Sequence, residues 1–207
     1  MSWIQKLYDT YENCKSEVGV VGTDEKTPLL PLSHTVINAN IEIVIDSNGD
    51  FRRARSVLKS DAKTISPCTE DSASRGNGNN PHALFDKLQY TAGDYDLFFS
   101  DSRGKNYFSK YINLLEEWCN SKYNDERIKA VLKYLKKERL VTDLISAKLL
   151  EVDENNQVTN KWIGDKNNKP LKTNDIFVRF IVEVLGEPER SEERRVGKGC
   201  RSRWSAD

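Results

Sequence analysis

The sequence has few of the residues and runs that would identify a metalloprotein, a secreted protein or a membrane protein. Its four cysteines, Cys14, Cys68, Cys119 and Cys200, are far apart and form no C-x-x-C pair. This spacing argues against a zinc ribbon and against a disulfide framework. No apolar run approaches the ~20 residues that a membrane span needs, and the first residues lack the pattern of a secretory signal. We therefore expect a cytoplasmic protein, not associated with a membrane, whose cysteines are reduced thiols.

Histidine is scarcer still, with only His34 and His82 in the chain. The sequence contains no G-x-S-x-G, H-E-x-x-H or P-loop pattern, and no pairing of its acidic residues suggests a metal site. A Cys68/His82 nucleophile pair can be imagined, but sequence spacing alone is weak evidence for it. We predict no catalytic residue, no metal and no cofactor. A metal-dependent nuclease or another hydrolase remains the alternative.

The chain also lacks net charge, since 32 basic residues balance 32 acidic ones. The last eighteen residues, 190–207, hold six of the basic and three of the acidic residues, which leaves 26 against 29 in the rest. A mildly acidic body must contact nucleic acid through local patches rather than through a global positive field.

Three stretches carry apolar residues at helical spacing and are predicted to form amphipathic helices: residues 3–14, 107–121 and 126–140. The third begins with acidic residues and ends with basic ones, which suits the dipole of a helix. The apolar faces consist of Trp3, Ile4, Leu7, Tyr8 and Tyr11 in the first helix, Phe108, Tyr111, Leu114, Leu115 and Trp118 in the second, and Ile128, Val131, Leu132 and Leu135 in the third.

A hairpin is predicted in the first third of the chain. Residues 33–46 are rich in β-branched residues, and Ile41, Ile43 and Ile45 alternate along them. An Asn-Gly turn at 47–50 follows, and residues 51–58 return from it.

A second hairpin is predicted over residues 149–162, with its turn at Asn155-Asn156, and a further strand over residues 177–184. A strand needs neighbours, and no later segment offers one. The sequence thus predicts an α+β fold of mixed or antiparallel β-hairpins with packed helices. We expect residues 1–189 to be an incomplete, N-terminal part of a larger protein.

Residues 59–81 form the longest stretch without a periodic apolar face. A loop of this length inside a domain is uncommon and is usually functional or disordered. Polar side chains on the segment Ser72–Asn80, flanked by Lys59 and Lys63, could reach into a nucleic-acid groove. A flexible surface loop without a partner is the alternative.

A row of lysines on the third predicted helix could neutralise phosphates. Its members are Lys129, Lys133, Lys136 and Lys137. The alternative is a solvated charged face balanced by acidic neighbours such as Glu126 and Glu138.

The last residues, 190–207, differ in character from the rest. Reverse translation of residues 190–198 resembles the adapter used in short-read DNA sequencing, and the resemblance resumes over residues 200–205. We interpret 190–207 as a non-native tail that arose as a sequencing artefact, and exclude it from fold reasoning. The gene is then expected to continue past Glu189. A genuine basic arm is the alternative.

The body of the chain resembles the large subunit of the type I-C CRISPR surveillance complex (Cascade), the Csd-one or Cas-eight-c family. The segments that carry the resemblance cover nearly all of residues 1–189 in order. They are MSWIQKLYDTYENC, PLLPLSHTVINANIEIVIDSNGDFRRARSVLKSDAKTISPCTEDSASR, DKLQYTAGDY, EEWCNSKYNDERIKAVLKYLKK and LLEVDENNQVTNKW. Members of the family are much longer than this chain, which corresponds to their N-terminal region.

The resemblance implies a non-enzymatic subunit of an RNA-guided antiviral complex. Its N-terminal region would contact the short protospacer-adjacent motif (PAM) of target duplex DNA, while pairing with the guide RNA reads the remaining sequence. The partners implied are the other CRISPR complex subunits, guide RNA, target DNA and a helicase–nuclease that the full-length protein recruits.

From the chemistry of its side chains we expect the segment Ser72–Asn80, called the polar loop below, to contact DNA. We expect Ser74, Arg75, Asn77 and Asn79 to reach the groove. Lys59, Lys63 and His82 would support them at phosphates.

Overall fold

The computed structural model describes residues 2–20, 29–73, 80–100, 104–159 and 175–184. Helices and strands are both present in this part of the chain, which confirms the predicted α+β fold. The helices are α1 (Trp3–Asn13), α2 (Glu70–Ala73), α3 (Leu88–Thr91), α4 (Tyr95–Phe98), α5 (Gly104–Asn120), α6 (Glu126–Leu135) and α7 (Leu140–Ser146). The strands are β1 (His34–Asn38), β2 (Ile41–Asp46), β3 (Phe51–Ser56), β4 (Lys63–Pro67), β5 (Asp86–Lys87) and β6 (Phe177–Glu183).

The main sheet has four strands in the order β3-β2-β6-β5. Strand β2 pairs antiparallel with β3 and parallel with β6, and β5 pairs antiparallel with β6. The lack of a later segment to pair with does not leave β6 unpaired, because both of its neighbours precede it in the chain. A parallel pair needs a long crossover, and the chain that includes helices α2 to α7 lies between β2 and β6.

The predicted hairpin at 33–58 is confirmed, but its first strand is divided in two. Ala39 donates its backbone N–H to Ala62 at 2.8 Å, and Asn40 donates to Phe177 at 2.9 Å. At this point the chain changes partners: β1 pairs with β4, while β2 belongs to the main sheet. Residues 59–81 were predicted to form a loop, and this prediction is wrong for Lys63–Pro67, which form strand β4. Strand β4 escaped detection because its buried positions are Thr64 and Ser66, so it shows no apolar alternation.

The core lies between the apolar face of the main sheet and helices α3 to α7. The predicted faces of the second and third helices are confirmed, since Tyr111, Leu115, Ile128, Val131 and Leu135 are all buried. A buried side chain of this size typically contributes ~1.5–3 kcal/mol. These two faces therefore account for a substantial share of the stabilisation of the fold.

The third predicted helix ends earlier than expected. Helix α6 stops at Leu135, and Glu138 adopts a positive φ of 50° before α7 begins at Leu140. The Asp94 carboxylate fixes the first turn of α7, because it accepts hydrogen bonds from the backbone N–H groups of Val141 at 3.0 Å and Thr142 at 2.9 Å. Free amides in the first turn of a helix need such acceptors.

An ion cluster lies on the opposite face of the main sheet. The Arg179 guanidinium, fully buried, donates to the Glu42 carboxylate at 2.7 Å and to Asp61 at 2.8 Å. Arg55 donates to the second Glu42 oxygen at 2.6 Å. The cluster ties the turn before β4 to the main sheet.

The second predicted hairpin is confirmed in a minimal form. A single antiparallel bridge joins Val152 to Val158, and Asn156 in the turn between them has a positive φ of 61°. The end of that prediction, residues 160–162, lies outside the described residues.

Helix α1 is confirmed at Trp3–Asn13, with the Ser2 hydroxyl as its N-cap. None of its residues is buried, although its apolar face has the periodicity of a packed helix. Trp3 is 74% exposed and Leu7 56%.

Candidate nucleic-acid interface

The four residues expected to enter a DNA groove, Ser74, Arg75, Asn77 and Asn79, lie outside the described residues. The chain is described up to Ala73, at the end of α2, and again from Asn80. The interface can therefore be built from the two segments that hold the ends of the polar loop.

The segment before the loop is fixed by a reciprocal pair of hydrogen bonds. The backbone N–H of Thr69 donates to the Ser72 hydroxyl at 2.9 Å, and the N–H of Ser72 donates to the Thr69 hydroxyl at 3.1 Å. This arrangement satisfies free amides at the start of α2, as a capping box does. Ser72 is 1% exposed. The first residue of the predicted loop thus belongs to a folded helix.

The segment after the loop is held by the buried carboxylate of Asp86. Asp86 accepts hydrogen bonds from the backbone N–H of His82 at 2.7 Å and from that of Lys87 at 2.7 Å. The hydroxyl of Tyr111 donates to the Leu84 carbonyl at 2.9 Å and attaches the same segment to α5. His82 is 7% exposed. In this conformation its ring offers almost no surface to a phosphate, and its phosphate contact stays a prediction.

The two lysines expected to flank the loop lie at the far end of β4. Lys63 pairs with Asn38, whereas Pro67, from which the chain leads towards α2, pairs with His34. Four residues of strand span about 13 Å. Lys59 begins the short turn Lys59–Asp61 just before this strand and is exposed. The structure thus places Lys59 and Lys63 near one another, at the end of β4 away from α2.

The predicted lysine row lies partly on α6 and partly in the turn that follows it, and it is largely engaged with acidic neighbours. Lys129 lies 2.7 Å from the carboxylate of Glu126, and Lys136 lies 2.6 Å from that of Glu116. Lys137 contacts the Asp50 carboxylate and the Gly49 carbonyl, both at 2.6 Å, and so holds the β2–β3 turn against α6. Lys133 is exposed. These pairs support the alternative of a balanced charged face, although the partners differ in part from those expected.

A groove that the sequence did not predict runs along α5. One part, a pocket of about 350 Å³, is mainly apolar and is lined by residues from β1, β4 and α5, including Pro67, Leu114 and Trp118. The adjoining part, of about 310 Å³, is more polar, and Asn80 lies in its wall. In the sequence, the one indication of this groove is that Leu114 and Trp118 lie at the margin of the apolar face of α5.

The charge at this groove disfavours a phosphate. Asp71 and Glu117 line it, with Lys110 as the cation among its lining residues. Phosphate binding depends on an excess of positive charge. The groove is therefore an unfavourable surface for the phosphates of a nucleic acid.

The imagined Cys68/His82 pair gains no support from the geometry. Cys68 lines the apolar part of the groove beside His34. Burial raises the pKa of the Cys68 thiol, which disfavours the thiolate that nucleophilic chemistry uses. Within the described ranges, no three His, Cys, Asp or Glu side chains could together hold a metal ion. In the same ranges no helix has the length and apolarity to cross a membrane.

The described residues form an α+β fold, in which hydrogen bonds of Ser72 and Asp86 fix the segments that precede and follow the predicted polar loop. A protein-family model described as CRISPR-associated protein (Cas_Csd1) matches residues 7–197. The chain belongs to this family, which implies a role in a multisubunit CRISPR complex. The match includes residues 190–197, and the interpretation of 190–207 as a tail stays a prediction. A search of curated proteins found no match.

Proposed function

We propose that this protein is the DNA-recognising large subunit of an RNA-guided type I-C CRISPR complex, that it contacts the PAM of target duplex DNA, and that it is not an enzyme. The family match over residues 7–197 is the observation that carries the proposal. Its partners are the other complex subunits, guide RNA, target DNA and, for the full-length protein, a helicase–nuclease.

The polar loop is the proposed reading element. Ser72 and Asp86 anchor the segments on either side through hydrogen bonds of 2.7 to 3.1 Å. Anchored ends reduce the conformational entropy that a loop loses when it binds. Arg75 and Asn77 have the side chains that pair with guanine and adenine edges.

Lys59 and Lys63 are proposed to contact phosphates rather than bases. Lys63 is separated from Pro67, at the end of β4 nearer to α2, by about 13 Å of strand, which corresponds to about four steps of ~3.4 Å along a DNA strand. They would then fix the register of the duplex, while the loop reads sequence.

Alanine substitutions separate these roles in the complex assembled with the full-length protein. We expect Arg75→Ala with Asn77→Ala to weaken binding of motif-bearing duplex by at least about tenfold, since lost base contacts cost ~1–3 kcal/mol each. Lys63→Ala should weaken all duplexes alike. Arg139→Ala, which removes an exposed arginine at the start of α7, is the matched control.

The measurement is equilibrium binding to duplexes with an intact and with a scrambled motif. Unchanged affinity and unchanged preference in the Arg75/Asn77 variant would remove the loop from the proposal. Metal-dependent cleavage of DNA by the purified protein would favour the nuclease alternative, because a recognition subunit alone shows no turnover.

A further inference from the structure

Strand β3 carries three arginines, Arg52, Arg53 and Arg55, which we call the arginine row. Strict alternation along a strand would place Arg52 on the opposite face of the sheet from the other two. The register of β3 against β2 shifts between Val44 and Ile45, however, which marks a β-bulge opposite this point. A bulge adds one residue and redirects side chains, so that consecutive arginines can share a face.

The contacts of the row show that all three arginines lie on the face of the main sheet opposite to the core. Each contacts a carboxylate of that face, in the pairs Arg52–Asp46 at 2.8 Å, Arg53–Glu183 at 2.7 Å and Arg55–Glu42 at 2.6 Å. Glu42 and Asp46 are four residues apart on β2 and so project from one face, and Glu183 lies beside Asp46 on β6.

The carboxylates are far less exposed than the arginines that they contact. The arginine side chains are 57–61% exposed, whereas those of the carboxylates are 2–29% exposed. Each guanidinium is therefore held from below and faces solvent. A guanidinium has five N–H donors, and each pair uses one nitrogen, which is Nε in Arg55 and a terminal nitrogen in Arg52 and Arg53. Such oriented planar donors match the oxygens of a phosphate.

The surface around the row has a local excess of positive charge. Arg179 contacts both Glu42 and Asp61, which brings the turn Lys59–Asp61 next to Arg55. Six cations thus lie in this region with four carboxylates: Arg52, Arg53, Arg55, Arg179, Lys59 and Lys63 with Glu42, Asp46, Asp61 and Glu183. Phosphate binding depends on such an excess, and a local excess is what a mildly acidic body requires.

We propose that the arginine row binds phosphates of the target duplex DNA and extends the backbone contact proposed for Lys59 and Lys63. Arg53 and Arg55 are two residues apart, about 6.8 Å along the strand, which corresponds to about two steps of ~3.4 Å along a DNA strand. The inference rests on the proposed function for the identity of the nucleic acid. It does not depend on the polar loop, because phosphate contacts carry no sequence information.

The salt dependence of duplex binding tests the proposal in the complex assembled with the full-length protein. Arg53→Gln with Arg55→Gln removes two charges and keeps donors for the carboxylates below. The slope of log K against log salt concentration should become shallower by about 2, since each phosphate contact contributes ~0.9. Duplexes with an intact and a scrambled motif should lose affinity by the same factor. Arg139→Gln, at an exposed arginine before α7, is the matched control and should leave the slope unchanged.

Removal of a carboxylate separates phosphate binding from a purely structural role. Glu183→Gln takes one negative charge from beneath the row and keeps an oxygen for Arg53. If the row binds phosphates, this variant binds every duplex more tightly, whereas Arg53→Gln binds every duplex more weakly. A pair that only stabilised the sheet would be broken by either substitution, and the two effects would then have the same sign.

Two results overturn the proposal: an unchanged slope in the Arg53/Arg55 variant, or weaker duplex binding by Glu183→Gln. Circular dichroism checks the fold of each variant, and Arg53→Lys with Arg55→Lys, which keeps both charges, should retain the wild-type slope. Failure of motif recognition gives a different pattern. In that case the wild-type complex shows no preference between the two duplexes, while the effects of the arginine row on affinity and slope remain.

Discussion

At the scale of single residues, Arg179 is a buried charge that joins the main sheet to the turn before β4. It is fully buried and donates hydrogen bonds to Glu42, Asp61 and Thr64. Removing one member of a buried ion pair typically costs ~3–5 kcal/mol, because the other charge stays buried without compensation. The second contact of Glu42, with Arg55, offsets part of that cost.

We therefore expect Arg179→Leu to lower the free energy of unfolding by about 3 kcal/mol, measured by urea denaturation. Arg53→Leu is the matched control, since Arg53 forms an exposed pair with Glu183 at 2.7 Å, and its loss should cost at most ~1 kcal/mol. Equal effects of the two substitutions would contradict the buried cluster.

Asp143 gives the fold a dependence on pH with a defined sign. Burial raises the pKa of Asp143 above its ordinary 3.8, although the hydrogen bond from Tyr134 and the charge of Arg139 act in the opposite direction. The folded protein thus binds this proton more tightly than the unfolded chain does. The contribution of Asp143 to stability is greatest below the unfolded pKa and decreases as pH rises through the folded pKa.

Asp143→Asn removes this titration and keeps an oxygen for the Tyr134 hydroxyl, which lies 3.0 Å from the carboxylate. The stability of the variant relative to wild type should increase as pH rises from about 4, the ordinary pKa of the group, and level off above the folded pKa. Urea denaturation at several pH values measures the difference. A difference that stays constant, or that decreases with pH, would show that the pKa is not raised.

At the scale of elements, the β2–β3 turn is fitted against α6 through Gly49. This residue has a positive φ of 77°, and a Cβ atom there would lie 2.7 Å from the Ala130 carbonyl and 2.8 Å from the Tyr134 nitrogen. Gly49→Ala combines backbone strain with a clash against helix backbone. We expect it to lower the free energy of unfolding by about 2 kcal/mol.

The neighbouring Asn48→Ala is the control for that change. Asn48 is exposed in the same turn, and substitutions at such sites usually stay within ~0.5 kcal/mol. Thermal and urea unfolding of both variants would compare them. A neutral Gly49→Ala would mean that the turn does not contact α6 as described.

Elements that depend on local sequence were predicted well. The Asn-Gly turn and the β2–β3 hairpin, and the buried faces of α5 and α6, follow from neighbouring residues alone. Pairings between distant segments were not predicted. Strand β4 presents Thr64 and Ser66 inwards instead of apolar side chains, and β6 finds both partners earlier in the chain.

The candidate site likewise has one part that the local sequence indicates and another that only the folded chain brings together. The polar loop is a prediction from composition, since Gly, Ser and Asn concentrate in the sequence between α2 and Asn80. The α5 groove could not be located, because its walls come from segments near residues 33, 68 and 118 that meet only in the folded chain. The burial of His82 likewise depends on Asp86 and on the packing around it.

At the scale of the whole molecule, the protein presents two surfaces with different chemistry. The polar loop lies between anchored segments and is proposed to read DNA, while the exposed apolar face of α1 and the acidic α5 groove suit contacts with protein. A mildly acidic body is compatible with this division, because local basic groups rather than net charge would hold the duplex.

The measurement that tests the central claim most directly compares CRISPR complexes assembled with and without the full-length form of this protein. Each complex is titrated with guide-matched duplexes that carry either an intact or a scrambled motif. We expect a preference for the intact motif of at least about tenfold only in the complex that contains the protein. An equal preference in the complex that lacks it would contradict the assignment of motif recognition to this subunit.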